Sequence, residues 1–154
     1  VGRVFSVRTD VINAALDLNA IPVLAPLART LDGYSLNCNA DSAAWKVAAD
    51  LRAEKLVLLS DVPGILRDRS DESTLISTVT EADVEALERD GIIEGGMLPK
   101  VEACLHAIDA GVHKAHMIDG RVPHALLLEI FTDEGIGTEI IRSRPDAAGD
   151  ARTE

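Results

Sequence analysis

Aromatic residues are scarce in this chain, at 3% of 154 residues, with one Trp, one Tyr and two Phe. A core must therefore come from Leu, Val, Ile and Ala. The 47% hydrophobic content is that of an aliphatic α/β domain and excludes a disordered chain. Positive charge is also short: 15 Lys and Arg stand against 26 Asp and Glu, a net charge of −11. That balance argues against nucleic acid and against an anionic membrane surface as partners. It also repels phosphate, so any phosphate ligand would need local devices to attract it. Two cysteines, Cys38 and Cys104, make no disulfide framework, and with no histidine at ligand spacing they make no zinc site. Both read as small buried hydrophobes in a reducing compartment. No apolar run is long enough to span a bilayer, and no signal-like start is present, so the chain reads as cytoplasmic. The four histidines (His106, His113, His116, His124) show neither triad nor metal spacing. No internal repeat is evident. Val1-Gly2-Arg3-Val4 carries no initiator Met and begins inside a strand-like segment, the pattern of a fragment or a processed piece.

What is present alternates strand and helix. Val4–Val7 is a short strand candidate. Thr9 or Asp10 can cap a helix with Val11, Ile12, Ala15 and Leu16 on one face, ending near Asn19. Ile21–Ala25 is a continuous apolar run with the composition of a strand buried on both faces, its ends restricted by proline. Asp32-Gly33, between 29–31 and 34–36, is a hairpin signal. A helix over Asp41–Leu51 precedes a second buried strand, Lys55–Ser60. Thr78 with Glu81, or Thr80 with Asp83, reads as a capping box for a helix to Asp90, stopped by Gly91. Pro99 and Gly111 bracket a helix over 99–110. Lys114–Ile118 is a strand, Pro123–Phe131 an apolar helix suited to burial, and Thr138–Ile141 a final strand. The polar stretch from Arg142 to Glu154 reads as a tail, mostly disordered. Strand–helix alternation predicts an α/β fold, a three-layer αβα sandwich with a mostly parallel sheet. In such sheets ligands sit beyond the C-terminal strand ends.

Two segments carry chemistry. Asn37-Cys38-Asn39-Ala40-Asp41 and Gly95-Gly96-Met97-Leu98-Pro99-Lys100 each open a predicted helix. At such starts backbone N–H groups lack partners and the dipole favours an anion. Lys100 is a cation at a helix start, where it costs stability, so function is the better explanation for it. The preceding glycines allow backbone to approach a phosphate closely. Asp41 or Asn39 can serve simply as an N-cap. Asn37 and Asn39 cannot both do so, and one carboxamide is left free. Ser60-Asp61-Val62-Pro63-Gly64 ends a strand where a nucleotide loop would lie, although Asp-x-Pro-Gly is also a common turn. Ser60 lacks the context of a nucleophile elbow.

With these residues in place, the chain resembles the C-terminal half of the N-acetylglutamate kinases, within the amino acid kinase family. The resemblance runs from about Val4 to Ile141. It rests on Ile21–Pro26, Asn37–Asp41, Glu54–Gly64, Gly95–Lys100, Ile118-Asp119-Gly120-Arg121 and His124–Thr138. It implies a partial kinase-like nucleotide-binding domain over residues 1–141, with the N-terminal substrate half absent and a tail over 142–154. It implies that Asn37 hydrogen-bonds N-acetyl-L-glutamate, that Lys100 stabilises the transferring phosphoryl group, and that Asp41 holds the catalytic lysines in place. ATP would be bordered by Ser60, Asp61, Val62, Pro63, Gly64, Ile65, Leu66, Ile92, Ile93, Glu94, Gly95 and Gly96. Its Mg2+ would be carried by the nucleotide phosphates, with no protein metal site. The family's glycine-rich phosphate loop and second catalytic lysine have no counterpart in these 154 residues. Trp45 and Lys46 replace residues that are usually small. Glu129–Thr138 resembles the arginine-inhibited branch, which implies arginine as an inhibitor, and the half-sheet implies a homo-oligomer. Two alternatives stay open, a kinase for another acid and a non-catalytic, arginine-responsive kinase-like module.

Overall fold

The computed structural model describes residues 2–132 and 135–143; the predicted tail from 144 onward lies outside them. Its elements are α1 (Thr9–Asp17), β1 (Leu27–Arg29), β2 (Ser35–Asn37), α2 (Ala40–Leu51), β3 (Lys55–Ser60), β4 (Thr78–Thr80), α3 (Glu81–Arg89), α4 (Leu98–Asp109), β5 (Lys114–Asp119), α5 (Ala125–Phe131) and β6 (Thr138–Ile141). The main sheet has four strands in the order β3-β5-β6-β4. β3 pairs with β5 in parallel, from Lys55 opposite Lys114 to Ser60 opposite Asp119. β4 and β6 are also parallel, whereas β5 and β6 are antiparallel. The sheet is therefore mixed and mostly parallel.

Successive residues of a strand face opposite sides, and this sorts the layers. Leu56 and Leu58 of β3, Ala115 and Met117 of β5 and Ile140 of β6 share one buried cluster with Ala48 of α2 and Val101, Cys104, Ala107 and Ile108 of α4. On the other side of β5, His116 meets Glu129 of α5. Helices thus cover both faces, giving the three-layer α/β arrangement. The α2–α4 interface is rich in small residues, Ala44, Ala48, Ala103, Cys104 and Ala107, which lets the two helices approach closely. Trp45 is accommodated at the edge of that interface, where its ring lies 5.1 Å from that of His106 at 43°.

Local signals account for most of these boundaries. The Asp83 carboxylate accepts from both the backbone N–H (2.9 Å) and the hydroxyl (2.6 Å) of Thr80, so the second of the two candidate capping boxes is the one that forms. Gly91 follows α3 with φ +71° and Gly111 follows α4 with φ +101°, both stops that favour glycine. α1 begins at Thr9 itself, with Arg8 preceding it and no side-chain cap.

Several expectations need correction. Val4–Val7 forms no strand; Val7 instead donates its N–H to Asp50 at 3.0 Å. Ile21–Ala25 is not a strand either, and Ile21 and Val23 are 89% and 92% exposed. An apolar run specifies burial but no pairing partner, and the described strands offer none beside it. The hairpin does form, but its strands are Leu27–Arg29 and Ser35–Asn37, set back from the turn on both sides, with Gly33 at φ +89°. Between them the Thr30 N–H donates to the Tyr34 carbonyl and the Thr30 hydroxyl oxygen accepts from the Tyr34 N–H. The α5 helix starts at Ala125, and only Ala125 of it is buried; Leu127 and Phe131 are exposed. At the C-terminal end, Arg142 donates to the Ile108 carbonyl (3.2 Å) and Ser143 accepts from the Ala82 N–H (3.2 Å), so these two residues are tied to the domain.

Candidate nucleotide cleft

The chemistry converges where α2 and α4 begin. At the first of these starts Asn39 is the N-cap, its side chain accepting from the Ser42 N–H at 2.9 Å. That assigns the cap to Asn39 and releases Asp41 and Asn37 from it. Asn37 closes β2 and is exposed; among the described residues its side chain has no hydrogen-bond partner. Asp41 lies in the first turn of α2, where a carboxylate complements the dipole. Lys100 lies in the first turn of α4, where its charge opposes the dipole. The two meet across the helix pair, Lys100 Nζ to Asp41 Oδ2 at 3.4 Å, with about a quarter and a fifth of each side chain exposed. Residues 59 positions apart in sequence are thus brought together by the packing of two alanine-rich helix faces. Beneath them, Cys104 is fully buried, and its thiol is pushed up to about 12 by burial, with the Asp41 charge adding to the effect. It is an inert packing residue.

Beside Lys100 opens a cleft of about 290 Å³. One wall comes from the segment after β3, namely Asp61, Val62, Gly64, Ile65, Leu66 and Arg69; the other comes from the segment before α4, with Ile92, Glu94, Gly96 and Met97. The cleft lies at the C-terminal end of β3, where a parallel sheet presents its ligand site. Its size is at the lower end of small-ligand pockets, and its walls are mostly apolar with a few polar groups, as such pockets usually are. Among the described residues no group of three or more His, Cys, Asp or Glu side chains converges as a metal site.

The walls are held from behind by one fully buried hydroxyl. Thr138 Oγ1 accepts from the Ile65 N–H (2.9 Å) and donates to the Ile76 carbonyl (2.8 Å), tying the loop to β6. Gly64 is obligatory there, because a Cβ would stand 2.5 Å from that same oxygen. On the opposite side Gly95, just outside the lining, has φ +57°, and a Cβ on Gly95 or on Gly96, which does line the cleft, would meet nothing within 4 Å. Gly95, Gly96 and Met97 form a 3-10 turn that runs directly into α4, with the Met97 N–H on the Glu94 carbonyl and the Leu98 N–H on the Gly95 carbonyl, so these glycines leave space beside Lys100 rather than a row of free N–H groups.

Of the sequence-predicted residues, the cleft gathers Asp61, Val62, Gly64, Ile65, Leu66, Ile92, Glu94, Gly96 and Lys100. Ser60, Pro63, Ile93 and Gly95 do not line it. Ser60 ends the strand, its carbonyl accepting from the Gly120 N–H at 2.8 Å, and Ile93 is only 2% exposed and packs in the core. Asn37 and Asp41 lie outside the lining, Asp41 reaching it only through Lys100. Sequence reasoning missed two lining residues. Met97 sat inside the Gly95–Lys100 segment and was legible there. Arg69 sits in a charged loop (Arg67-Asp68-Arg69-Ser70-Asp71), where nothing distinguishes one arginine from the next.

Residues 1–119 match the amino acid kinase family. The chain is 50% identical over 140 residues to the acetylglutamate kinase of Clostridium kluyveri, covering 91% of this chain and 50% of that protein. It is 53% identical over 140 residues to the acetylglutamate kinase of Methanothermobacter thermautotrophicus, covering 91% of this chain and 48% of that protein. The chain thus spans about half the length of the curated relatives it matches. Among solved structures it is similar to N-acetylglutamate synthase from Neisseria gonorrhoeae complexed with coenzyme A and L-arginine, at 30% identity and a TM-score of 0.77, over 87% of this chain and 30% of that one.

Proposed function

Because this chain belongs to the amino acid kinase family, we propose that it supplies the ATP-binding half of an acetylglutamate kinase. In this reading the γ-phosphoryl group of ATP passes to the side-chain carboxylate of N-acetyl-L-glutamate, making an acyl phosphate in arginine biosynthesis. The observation that carries it is the Lys100–Asp41 pair (3.4 Å) at the mouth of the cleft, together with identity near 50% to acetylglutamate kinases. A side-chain carboxylate with a pKa of about 4.3 is already ionised at neutral pH, so no general base is required. Phosphoryl transfer then needs positioning and charge neutralisation. Lys100 supplies the charge, Asp41 fixes where it points, and the side-chain-free Gly95 and Gly96 leave room for a phosphate beside them. The apolar walls take the base, and Mg2+ travels with the nucleotide phosphates. In this reading Asn37, exposed at the end of β2, hydrogen-bonds the acid substrate.

Calorimetric titration of MgATP into the chain, with Lys100→Ala beside it, tests this assignment. Binding that weakens clearly in the variant supports it; a folded chain with no binding overturns it. These residues contain one of the two lysines that the family uses, so the chain alone turns over little or no substrate. Lys100-dependent acyl-phosphate formation by this polypeptide alone would refute that half-enzyme reading.

The likeness to a synthase crystallised with L-arginine favours one second reading, an arginine-responsive kinase-like module. The Lys100–Asp41 pair weighs against a purely regulatory role, since such a module has no use for it. Arginine as an inhibitor is compatible with either reading, and a rise in melting temperature on adding arginine is the expected sign. Self-association is also part of the proposal. Phe5, Ile21, Val23, Leu31 and Phe131 are each at least 79% exposed, a quantity of apolar surface that favours association. A monodisperse monomer in sizing with light scattering would remove it.

A further inference from the structure

We propose that Arg69 binds a phosphate of the nucleotide and that Glu94 holds it in reserve until the ligand arrives. This rests on the nucleotide reading of the cleft and adds to it a residue and a mechanism of charge exchange. Arg69 Nη1 lies 3.0 Å from Glu94 Oε1, and the pair spans the cleft from the wall after β3 to the wall before α4. The neighbouring acid does not compete for the guanidinium, because Asp68 is engaged by the N–H (2.9 Å) and hydroxyl (2.7 Å) of Ser70. Arg69 is therefore drawn across the opening.

The charge count inside the cleft gives this pairing its consequence. The lining carries two cations, Arg69 and Lys100, and two carboxylates, Asp61 and Glu94, while Lys100 faces a third carboxylate in Asp41. A polyphosphate therefore meets no surplus of positive charge, in a chain whose net charge is −11. Beyond the charge that Mg2+ offsets, the phosphates gain a protein cation only if one of the ion pairs opens. The Lys100 pair is three-quarters buried and held by packed helices, whereas Arg69 and Glu94 are 60% and 59% exposed. An exposed pair contributes little on its own, and a guanidinium prefers a phosphate, which it can grip with two N–H groups. Arg69 is the cation that can exchange partners at low cost, and Glu94 is its competitor.

The exchange predicts opposite signs for the two halves of one salt bridge. MgATP and adenosine are titrated calorimetrically into the chain and into its Arg69→Ala, Arg69→Lys and Glu94→Gln variants. Arg69→Ala is expected to weaken MgATP by about tenfold, the scale of a charge-assisted hydrogen bond, and to leave adenosine unchanged. Arg69→Lys recovers part of the loss, and Glu94→Gln tightens MgATP by roughly two- to threefold. A bridge that merely straps the walls together would move Arg69→Ala and Glu94→Gln in the same direction and would affect adenosine too; either result overturns the proposal. So does MgATP binding that is indifferent to Arg69. Failure of the unaltered chain to bind MgATP overturns the nucleotide reading itself, which separates the two failures.

Discussion

Gly64→Ala is the most exacting test of how the cleft is built, because the atoms nearest the new methyl are known. An ideal Cβ at Gly64 would lie 2.5 Å from Thr138 Oγ1, 2.9 Å from Leu75 Cδ1 and 3.1 Å from the Thr138 backbone nitrogen. The leucine tip can rotate away. Thr138 cannot, since it is fully buried and its hydroxyl already bridges Ile65 and Ile76. Relief requires the loop to move off β6, which is overpacking at about 1–3 kcal/mol. It also strands the Ile65 N–H or the Ile76 carbonyl, at about 1–3 kcal/mol for an unsatisfied buried group. A loss of about 3 kcal/mol is expected, which is roughly 10 °C in Tm for a domain of this size.

Urea unfolding followed by circular dichroism measures the loss, and two other glycines calibrate it. At Gly91, φ is +71° in open space, so alanine there costs only the left-handed backbone penalty, about 1–2 kcal/mol. Gly96 is open and has no such φ, so alanine there changes stability by less than about 0.5 kcal/mol. In a Thr138→Ala background the obstructing oxygen is gone, and Gly64→Ala should cost at least about 1 kcal/mol less than in the wild type. Equal costs in the two backgrounds, or a Gly64→Ala protein as stable as wild type, would refute the steric account.

Four further outcomes follow from the same geometry. Gly96→Ala, silent in stability, is expected to weaken MgATP in calorimetry because its methyl enters the cleft that Gly96 lines. Lys100→Ala should change unfolding free energy by about 1 kcal/mol or less, since the partly exposed pair it breaks opposes an unfavourable helix-dipole term; its effect belongs in nucleotide binding. Glu129→Ala should cost about 3 kcal/mol in urea unfolding, because Glu129 holds buried His116 at 2.5 Å and also accepts the Ile136 N–H at 2.9 Å. The Asp119 carboxylate is held below the usual range by hydrogen bonds from Arg121. A lowered carboxylate stabilises the fold above its ordinary value of about 3.9 and loses that contribution as pH falls through the lowered one. Wild-type and Asp119→Asn stabilities should therefore differ by a constant amount above about pH 4 and converge as pH falls below it toward the lowered value; curves that stay parallel there would remove the linkage.

The elements that were legible in the sequence are those specified by their own residues. β3 and β5 are short apolar runs between clear breaks, α3 carries a capping box, and α4 lies between Pro99 and Gly111. The two helix starts were legible for the same reason, since a cap or a glycine pair acts within one turn. Whether those starts meet is not a local property. It depends on Ala44, Ala48, Ala103 and Ala107 letting α2 and α4 approach, and only a long-range resemblance placed Lys100 beside Asp41 in advance.

The misreadings have the opposite character. Ile21–Ala25 and Ala125–Phe131 carry the composition of buried segments, and both are largely exposed. Composition encodes that such a segment profits from burial, at about 25 cal/mol per Å² of apolar surface, but not which surface provides it. The described sheet ends at β3 on one side, and Leu59 on that strand is 57% exposed, so the apolar pattern runs past the surface that these residues can cover among themselves. Arg69 is the converse case. Acids flank it on both sides, Asp68 and Asp71, and by proximity alone would claim it, yet Ser70 engages Asp68, Ser73 engages Asp71, and the guanidinium crosses to Glu94. A contact chosen by elimination among close competitors, across two loops, leaves no periodicity to read, and for that reason the charge exchange at the cleft emerged only from the folded chain.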